Sequence, residues 1–154
     1  MAKMLPFSRN AQAMLARQQK AALLPVPRAT ADELSLRVHL ALATLRRGKG
    51  SNQDAQTLTQ TLILTGFLVD LGYGKLLPEQ VREADKLIAA CFSAGRESGE
   101  WRLDEEGAAT FMMIVSLYDW QLRSVPLWAM AEASDRLDRF TTGGNLPLAP
   151  RKRA

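Results

Sequence analysis

His39 and Cys91 are the single histidine and the single cysteine of the chain, and both residue types can perform chemistry near neutral pH. Acid–base or metal chemistry at His39 needs a partner, and no cysteine or aspartate close by in sequence gives a ligand spacing. We therefore expect His39 to be a boundary residue that is hydrogen-bonded locally. Cys91 lies on the apolar stripe of a predicted helix, which predicts core packing rather than a reactive thiolate.

Three consecutive acids, Asp104, Glu105 and Glu106, form the densest group of carboxylates. They stand where a helix is predicted to begin, and acids there complement the helix dipole. A hard-cation site needs oxygen ligands that converge in space, and the chain contains no calcium-loop pattern. The sequence thus predicts no catalytic residue, no metal ligand and no cofactor site.

The loop Arg46–Ser51 is the best candidate for binding an anion. Free amides at the start of the following helix and three nearby cations would suit a phosphate group. The glycine spacing differs from that of a Walker motif. The candidate contacts are Arg46, Arg47, Lys49 and Ser51. The alternative is that the loop is simply a good turn.

Positive charge is concentrated at the two ends of the chain. Residues 1–28 hold five cations without an acid, and three more stand in the last four residues, so the ends contribute +8. Since the net charge is +4, residues 29–150 carry −4. Basic ends suit nucleic acid, an anionic membrane or an acidic protein face, or they keep the protein solvated. The candidate contacts here are Arg9, Arg17, Lys20, Arg151, Lys152 and Arg153.

Apolar periodicity predicts six helices and no convincing strand, which makes the fold class all-α. The predicted helices span about 8–24, 31–47, 52–71, 78–98, 104–123 and 126–140. Thr30 and Glu33 have the spacing of a capping box at the start of the second helix. The fifth helix is apolar almost all round, so we expect it to be central.

These elements form a compact bundle of about five helices, a basic amphipathic N-terminal arm helix and a disordered C-terminal tail. The arm with its proline linker covers residues 1–28, the bundle 29–142 and the flexible basic tail 143–154. Some apolar residues lie away from the predicted core faces. As a candidate protein interface we identify Phe7, Met14, Leu36, Leu40, Trp101 and Trp128.

The apolar runs are too short to cross a bilayer and the N-terminus lacks a secretory pattern, so we expect a cytoplasmic location. The sequence favours a non-catalytic interaction or regulatory protein that self-associates or binds a protein partner. The alternative is a nucleic-acid-binding accessory protein that uses the basic ends and the loop Arg46–Lys49. A third possibility is an enzyme whose site is assembled only by the fold.

Overall fold

The computed structural model describes residues 6–142, with side chains described from residue 10 onward. Six helices follow one another along this range: α1 (Pro6–Ala22), α2 (Arg28–Arg46), α3 (Asn52–Asp70), α4 (Pro78–Ser98), α5 (Glu105–Ser124) and α6 (Leu127–Thr142). Between residues 6 and 142 the sole β-type pairing is an isolated bridge between Pro25 and Pro126. The all-α prediction is confirmed, while the predicted tail, 143–154, lies outside the described residues.

Local signals explain where the later helices begin and end. At the start of α3 the Ser51 hydroxyl accepts from the Asp54 amide, and the Asp54 carboxylate accepts from the Ser51 amide. Asp104 caps α5 in the same way by accepting from the Gly107 amide at 2.7 Å. Helix α4 ends at Gly99, whose φ of 75° is a left-handed conformation that glycine adopts without a Cβ clash. Short polar caps thus fix these boundaries to within a residue or two of the predicted ones.

The capping box predicted at Thr30 and Glu33 is wrong. Helix α2 begins at Arg28, directly after Pro27, and the Ala31 amide donates to the Pro27 carbonyl at 2.9 Å. Thr30 therefore lies inside the first turn instead of preceding it. The extended backbone of Pro27 starts the helix without a side-chain cap.

Helix α3 is the centre of the bundle, because it packs against α2, α4, α5 and α6. The fifth helix contacts α2, α3 and α4, and its outer side is exposed at Met112 and Met113. The expectation that α5 is the most central helix is thus corrected: its outward arc is apolar without being buried. The largest fully buried apolar side chains of the core are Phe111, Leu42, Leu45, Leu58, Leu68, Ile88, Ile114 and Leu122.

One polar side chain crosses the core. Gln121 of α5 is fully buried and donates through Nε2 to the carbonyl oxygens of Thr65 and Tyr73. It thereby attaches the turn after α3 to α5. Its Oε1 and the Thr65 hydroxyl have no hydrogen-bond partner within the described part of the chain.

The arm helix is joined to the bundle at a fixed point. Helix α1 makes its main contacts with α6, and the Leu24 carbonyl accepts from the Leu127 amide at 2.8 Å. Val26 in the proline segment is buried in the core, which anchors the connection to α2. None of the helices within residues 6–142 combines the length and apolar character needed to cross a bilayer.

Candidate functional site

A three-residue hydrogen-bonded group joins α2 to α5 at the surface of the bundle. His39 Nε2 lies 2.7 Å from one carboxylate oxygen of Asp119, and the Ser35 hydroxyl donates to the other oxygen at 2.7 Å. Ser35 and His39 are one helical turn apart, so both face the same carboxylate. The expectation of a local bond for His39 is wrong, since its partner lies 80 positions away in sequence.

The connectivity of this group differs from that of a nucleophilic triad. In a triad the histidine accepts the serine proton and the carboxylate orients the histidine. Here Asp119 is the shared acceptor, and the Ser35 proton is directed at the carboxylate instead of at His39. The arrangement links α2 to α5, and it lacks the serine–histidine hydrogen bond through which a triad activates its nucleophile.

Exposed apolar side chains lie beside this group, on a surface that we call the α2–α5 face (Leu36, Leu40, Ala43 and Met112). Leu36 is 59% exposed and Leu40 is 56% exposed, although both lie in the middle of a 19-residue helix. Leu40, Ala43 and Met112 line an open groove of about 600 Å³ between the two helices. Arg46 and Arg47 stand at one end of that groove.

The predicted anion site is already partly filled by a carboxylate. Asp54 accepts from the Ser51 amide at 3.0 Å, from the Ser51 hydroxyl at 3.2 Å and from the Thr44 hydroxyl at 3.0 Å. A phosphate at the start of α3 would stand beside this negative charge. Ser51 is therefore a weaker candidate for an anion contact than the sequence alone indicated.

The cations of the loop remain available for contacts. Arg46, Arg47 and Lys49 are exposed, and the side chain of exposed Arg102 runs past Gly48. Glu100 approaches the same glycine, so the loop region is of mixed charge. The cations of the loop therefore do not form a uniformly positive surface.

The three tryptophans have different environments. Trp101 is partly buried, packs edge-on against Phe92 at 5.6 Å between ring centroids and covers Gly95. It belongs to the packing of the bundle, which removes most of the reason to place it in an interface. Trp128 is exposed, and so is Trp120, which the sequence did not single out.

The remaining predicted contacts lie on the arm and tail. Arg17, Lys20 and Met14 are exposed on α1. The side chains of Phe7 and Arg9 fall outside those described, and Arg151, Lys152 and Arg153 lie beyond residue 142. The structure therefore brings Leu36 and Leu40 together with Arg46 and Arg47 and leaves the arm cations on a separate element.

Cys91 and Tyr118 both have raised pKa values. Burial raises the pKa of the Cys91 thiol, and a backbone hydrogen bond at Arg102 opposes this only in part. Burial, with a smaller contribution from the Asp119 charge, raises the pKa of Tyr118 to about 12. Both groups stay neutral at physiological pH, which disfavours a nucleophilic role for either. Among the described side chains no cluster of three metal-ligating residues occurs.

A second groove, of about 460 Å³, lies between α3, α4 and α6. Leu62, Phe67 and Val81 make it apolar, and partial desolvation raises the pKa of Asp85 at its edge. Three charged side chains, Asp70, Arg82 and Asp85, also line it, and among the described residues no hydrogen bond or ion pair links them to one another. The groove has the size of a binding site, but its lining residues do not indicate a particular reaction.

Sequence reasoning missed Asp119 and Ser35 as partners of His39. A signal was present, because Asp119 is the single acid between Ala108 and Arg123. A lone carboxylate in an apolar helix usually has a partner, since burying an unpaired charge is costly. Which partner it takes depends on the register between α2 and α5, and that register is a property of the packed fold.

Comparison with protein-family models, with curated proteins and with solved structures finds no significant match.

Proposed function

We propose that this chain is a non-catalytic interaction or regulatory protein that associates with a second copy of itself through the α2–α5 face. The observation that carries the proposal is the exposure of Leu36 and Leu40 in the middle of a well-packed bundle. Because each leucine is a little more than half exposed, burying the rest of one contributes about 1–2 kcal/mol. A symmetric dimer buries both leucines in each of the two copies.

The hydrogen-bonded group of Ser35, His39 and Asp119 supports an interface role. It holds α2 and α5 in one register, so that Leu40 and Met112 line the same groove. A preorganised surface loses less freedom on binding than a mobile one. The group lacks the serine–histidine hydrogen bond of a triad, and Cys91 stays neutral; both observations favour binding over catalysis.

The arm supplies additional apolar surface. Met14 and Leu15 of α1 are more than half exposed, and a 17-residue helix is marginal in water unless it packs on something. Basic α1 would suit the negatively charged body of a neighbouring molecule. We regard the arm as a secondary contact that strengthens association through the α2–α5 face.

Nucleic-acid binding is the second candidate function. It is favoured by the position of Arg102 beside Gly48, which adds a fourth cation to Arg46, Arg47 and Lys49. Such binding would be electrostatic, and its affinity would fall steeply as salt rises. Nearby Glu100 and the compact cap at Asp54 count against it.

Sedimentation equilibrium of the wild type and of a Leu36→Glu, Leu40→Glu variant tests the proposal. We expect the wild type to be a dimer and the variant a monomer with unchanged helicity, because four charges would enter an apolar interface. Leu77→Glu is the control, since Leu77 is 56% exposed and caps α4, a helix that contributes no residue to this face. A monomeric wild type, or equal losses in both variants, would refute the proposal. Specific capture of a different protein by the wild type alone would replace the second copy with that partner.

A further inference from the structure

The outward side of α2 has the spacing of a helix-pairing seam. Glu33, Leu36, Leu40, Ala43 and Arg47 follow one another at intervals of three, four, three and four residues. This alternation keeps all five on one stripe, as in two helices that pack nearly along each other. Of the five, Ala43 is half-buried and the other four are exposed. We call this set the α2 stripe.

Charge along the α2 stripe is arranged end to end. Glu33, with Asp32 beside it, stands near the start of α2, and Arg47, with Arg46 beside it, stands at its end. Among the described residues Glu33 forms an ion pair with Arg37 of its own helix, at 3.7 Å and with both side chains largely exposed. An exposed pair of this kind contributes little, so Glu33 is free to take a better partner.

Two α2 stripes can therefore match in one direction only. A parallel pair would place Glu33 against Glu33 and Arg47 against Arg47, which is repulsive at both ends. An antiparallel pair centred on Leu40 places Glu33 of each copy opposite Arg47 of the other, since both lie seven positions from Leu40. Attraction then replaces repulsion at both ends of the seam.

The same register matches shape as well as charge. An antiparallel pair centred on Leu40 brings Leu36 of one copy, four positions from the axis, beside Ala43 of the other, three positions from the axis, with an offset of one residue. Ala43 lines the open groove between α2 and α5, with Leu40 and Met112 on its walls. A large side chain thus meets a small one beside an apolar recess, which is the complementarity that close packing needs.

We infer that α2 of one copy packs antiparallel on α2 of a second copy about a two-fold axis at Leu40, with Glu33 and Arg47 paired at each end. This rests on the proposed self-association and adds to it the direction and register of the contact. Four residues of each copy define the contact. Leu40 lies at the axis, Leu36 of each copy meets the groove of the other copy, and Glu33 and Arg47 form the charged ends.

Charge reversal and charge exchange test the register in the full chain. Arg47→Glu and Glu33→Arg each create two symmetry-related repulsive pairs, and we expect each to raise the dimer dissociation constant roughly tenfold. The doubly exchanged variant, Glu33→Arg with Arg47→Glu, restores attraction and should return to within about threefold of wild type. Lys86→Glu, an exposed charge reversal on α4, is the control for the change of net charge.

The outcomes separate the register from the proposed function. If the exchanged variant dimerises no better than the single variants, or if neither single variant weakens the dimer, the antiparallel register is wrong while self-association stands. If the wild type is monomeric in the same measurement, both the register and the proposed function are wrong. Circular dichroism of every variant confirms that a loss of association is not a loss of folding.

Discussion

The imidazole of His39 on α2 lies 2.7 Å from the carboxylate of Asp119 on α5, across 80 positions of sequence. The Ser35 hydroxyl occupies the second oxygen of the same carboxylate. These bonds hold the outer helix that carries Leu36 and Leu40 in a defined position on the bundle. The polar contact between α2 and α5 thus positions the apolar side chains of the α2–α5 face.

Replacing Asp119 by alanine should destabilise the bundle. Ser35 and His39 both lose their acceptor, and because the group is only half-buried we expect a loss of about 1–2 kcal/mol in the free energy of unfolding. Urea denaturation measures the change. Glu132→Ala on α6 is the control, since Glu132 is exposed. Equal effects of the two substitutions would show that the Asp119 contacts contribute nothing specific.

Two helical glycines should respond oppositely to a methyl group. A Cβ at Gly95 of α4 would overlap the ring of Trp101, whereas a Cβ at Gly66 of α3 meets nothing within 4 Å. We expect Gly95→Ala to cost about 1–3 kcal/mol through overpacking. Gly66→Ala should stabilise the protein by up to about 1 kcal/mol, because alanine has the higher helix propensity. Thermal unfolding of both variants checks the pair, and a stabilising Gly95→Ala would contradict the placement of Trp101.

Among the buried threonines, Thr65 and Thr59 form a matched pair for the cost of an unpaired hydroxyl. Within the described residues Thr65 Oγ1 has no partner, whereas the Thr59 hydroxyl donates to the Ala55 carbonyl at 2.9 Å. Thr65→Val should therefore be neutral or stabilising by about 1 kcal/mol, and Thr59→Val should be destabilising by about the same amount. Urea midpoints of the two variants give the comparison. The reverse order would mean that the Thr65 hydroxyl has a partner in solution.

Alkaline pH should destabilise the fold through Tyr118. Burial raises its pKa from 10 to about 12, so the folded state retains the phenolic proton that the unfolded chain loses. This contribution is intact below pH 10 and disappears as the pH rises from 10 to 12. By pH 11 it amounts to a loss of about 1 kcal/mol. Urea titrations at pH 9 and 11 measure the loss in the free energy of unfolding. We expect Tyr118→Phe to remove this loss. Tyr73→Phe, at the other tyrosine, is the control and should lose as much stability as wild type. Identical slopes for wild type and Tyr118→Phe would contradict the burial of the phenol.

Much of the fold could be predicted because helix signals are local. Pro78 at the start of α4 and Gly99 at its end are visible in sequence, and α4 has the predicted bounds, Pro78–Ser98. Local signals can also mislead, and the predicted start of α2 is wrong. Thr30 and Glu33 match a capping pattern, but the residue that starts the helix is decided by the Pro27 backbone.

The candidate site could be predicted only in part. Periodicity placed Leu36 and Leu40 away from the core face, and the structure has both exposed. The pairing of His39 with Asp119 was out of reach, because it depends on which faces of α2 and α5 meet and at what register. Trp101 is a case in which the sequence misled. Its size predicted a role in a protein interface, but in the structure its ring fills the space over Gly95.

The central claim is that a second copy covers the α2–α5 face, and the molar mass of nuclease-treated protein in solution tests it most directly. We predict a dimer by light scattering at both low and roughly physiological salt, because the contact is largely apolar and salt weakens only the charge pairs at its two ends. A monomer at both salt concentrations would contradict the account. So would a larger species that carries nucleic acid and dissociates as salt rises, which would direct attention to Arg46, Arg47 and Lys49 as phosphate contacts.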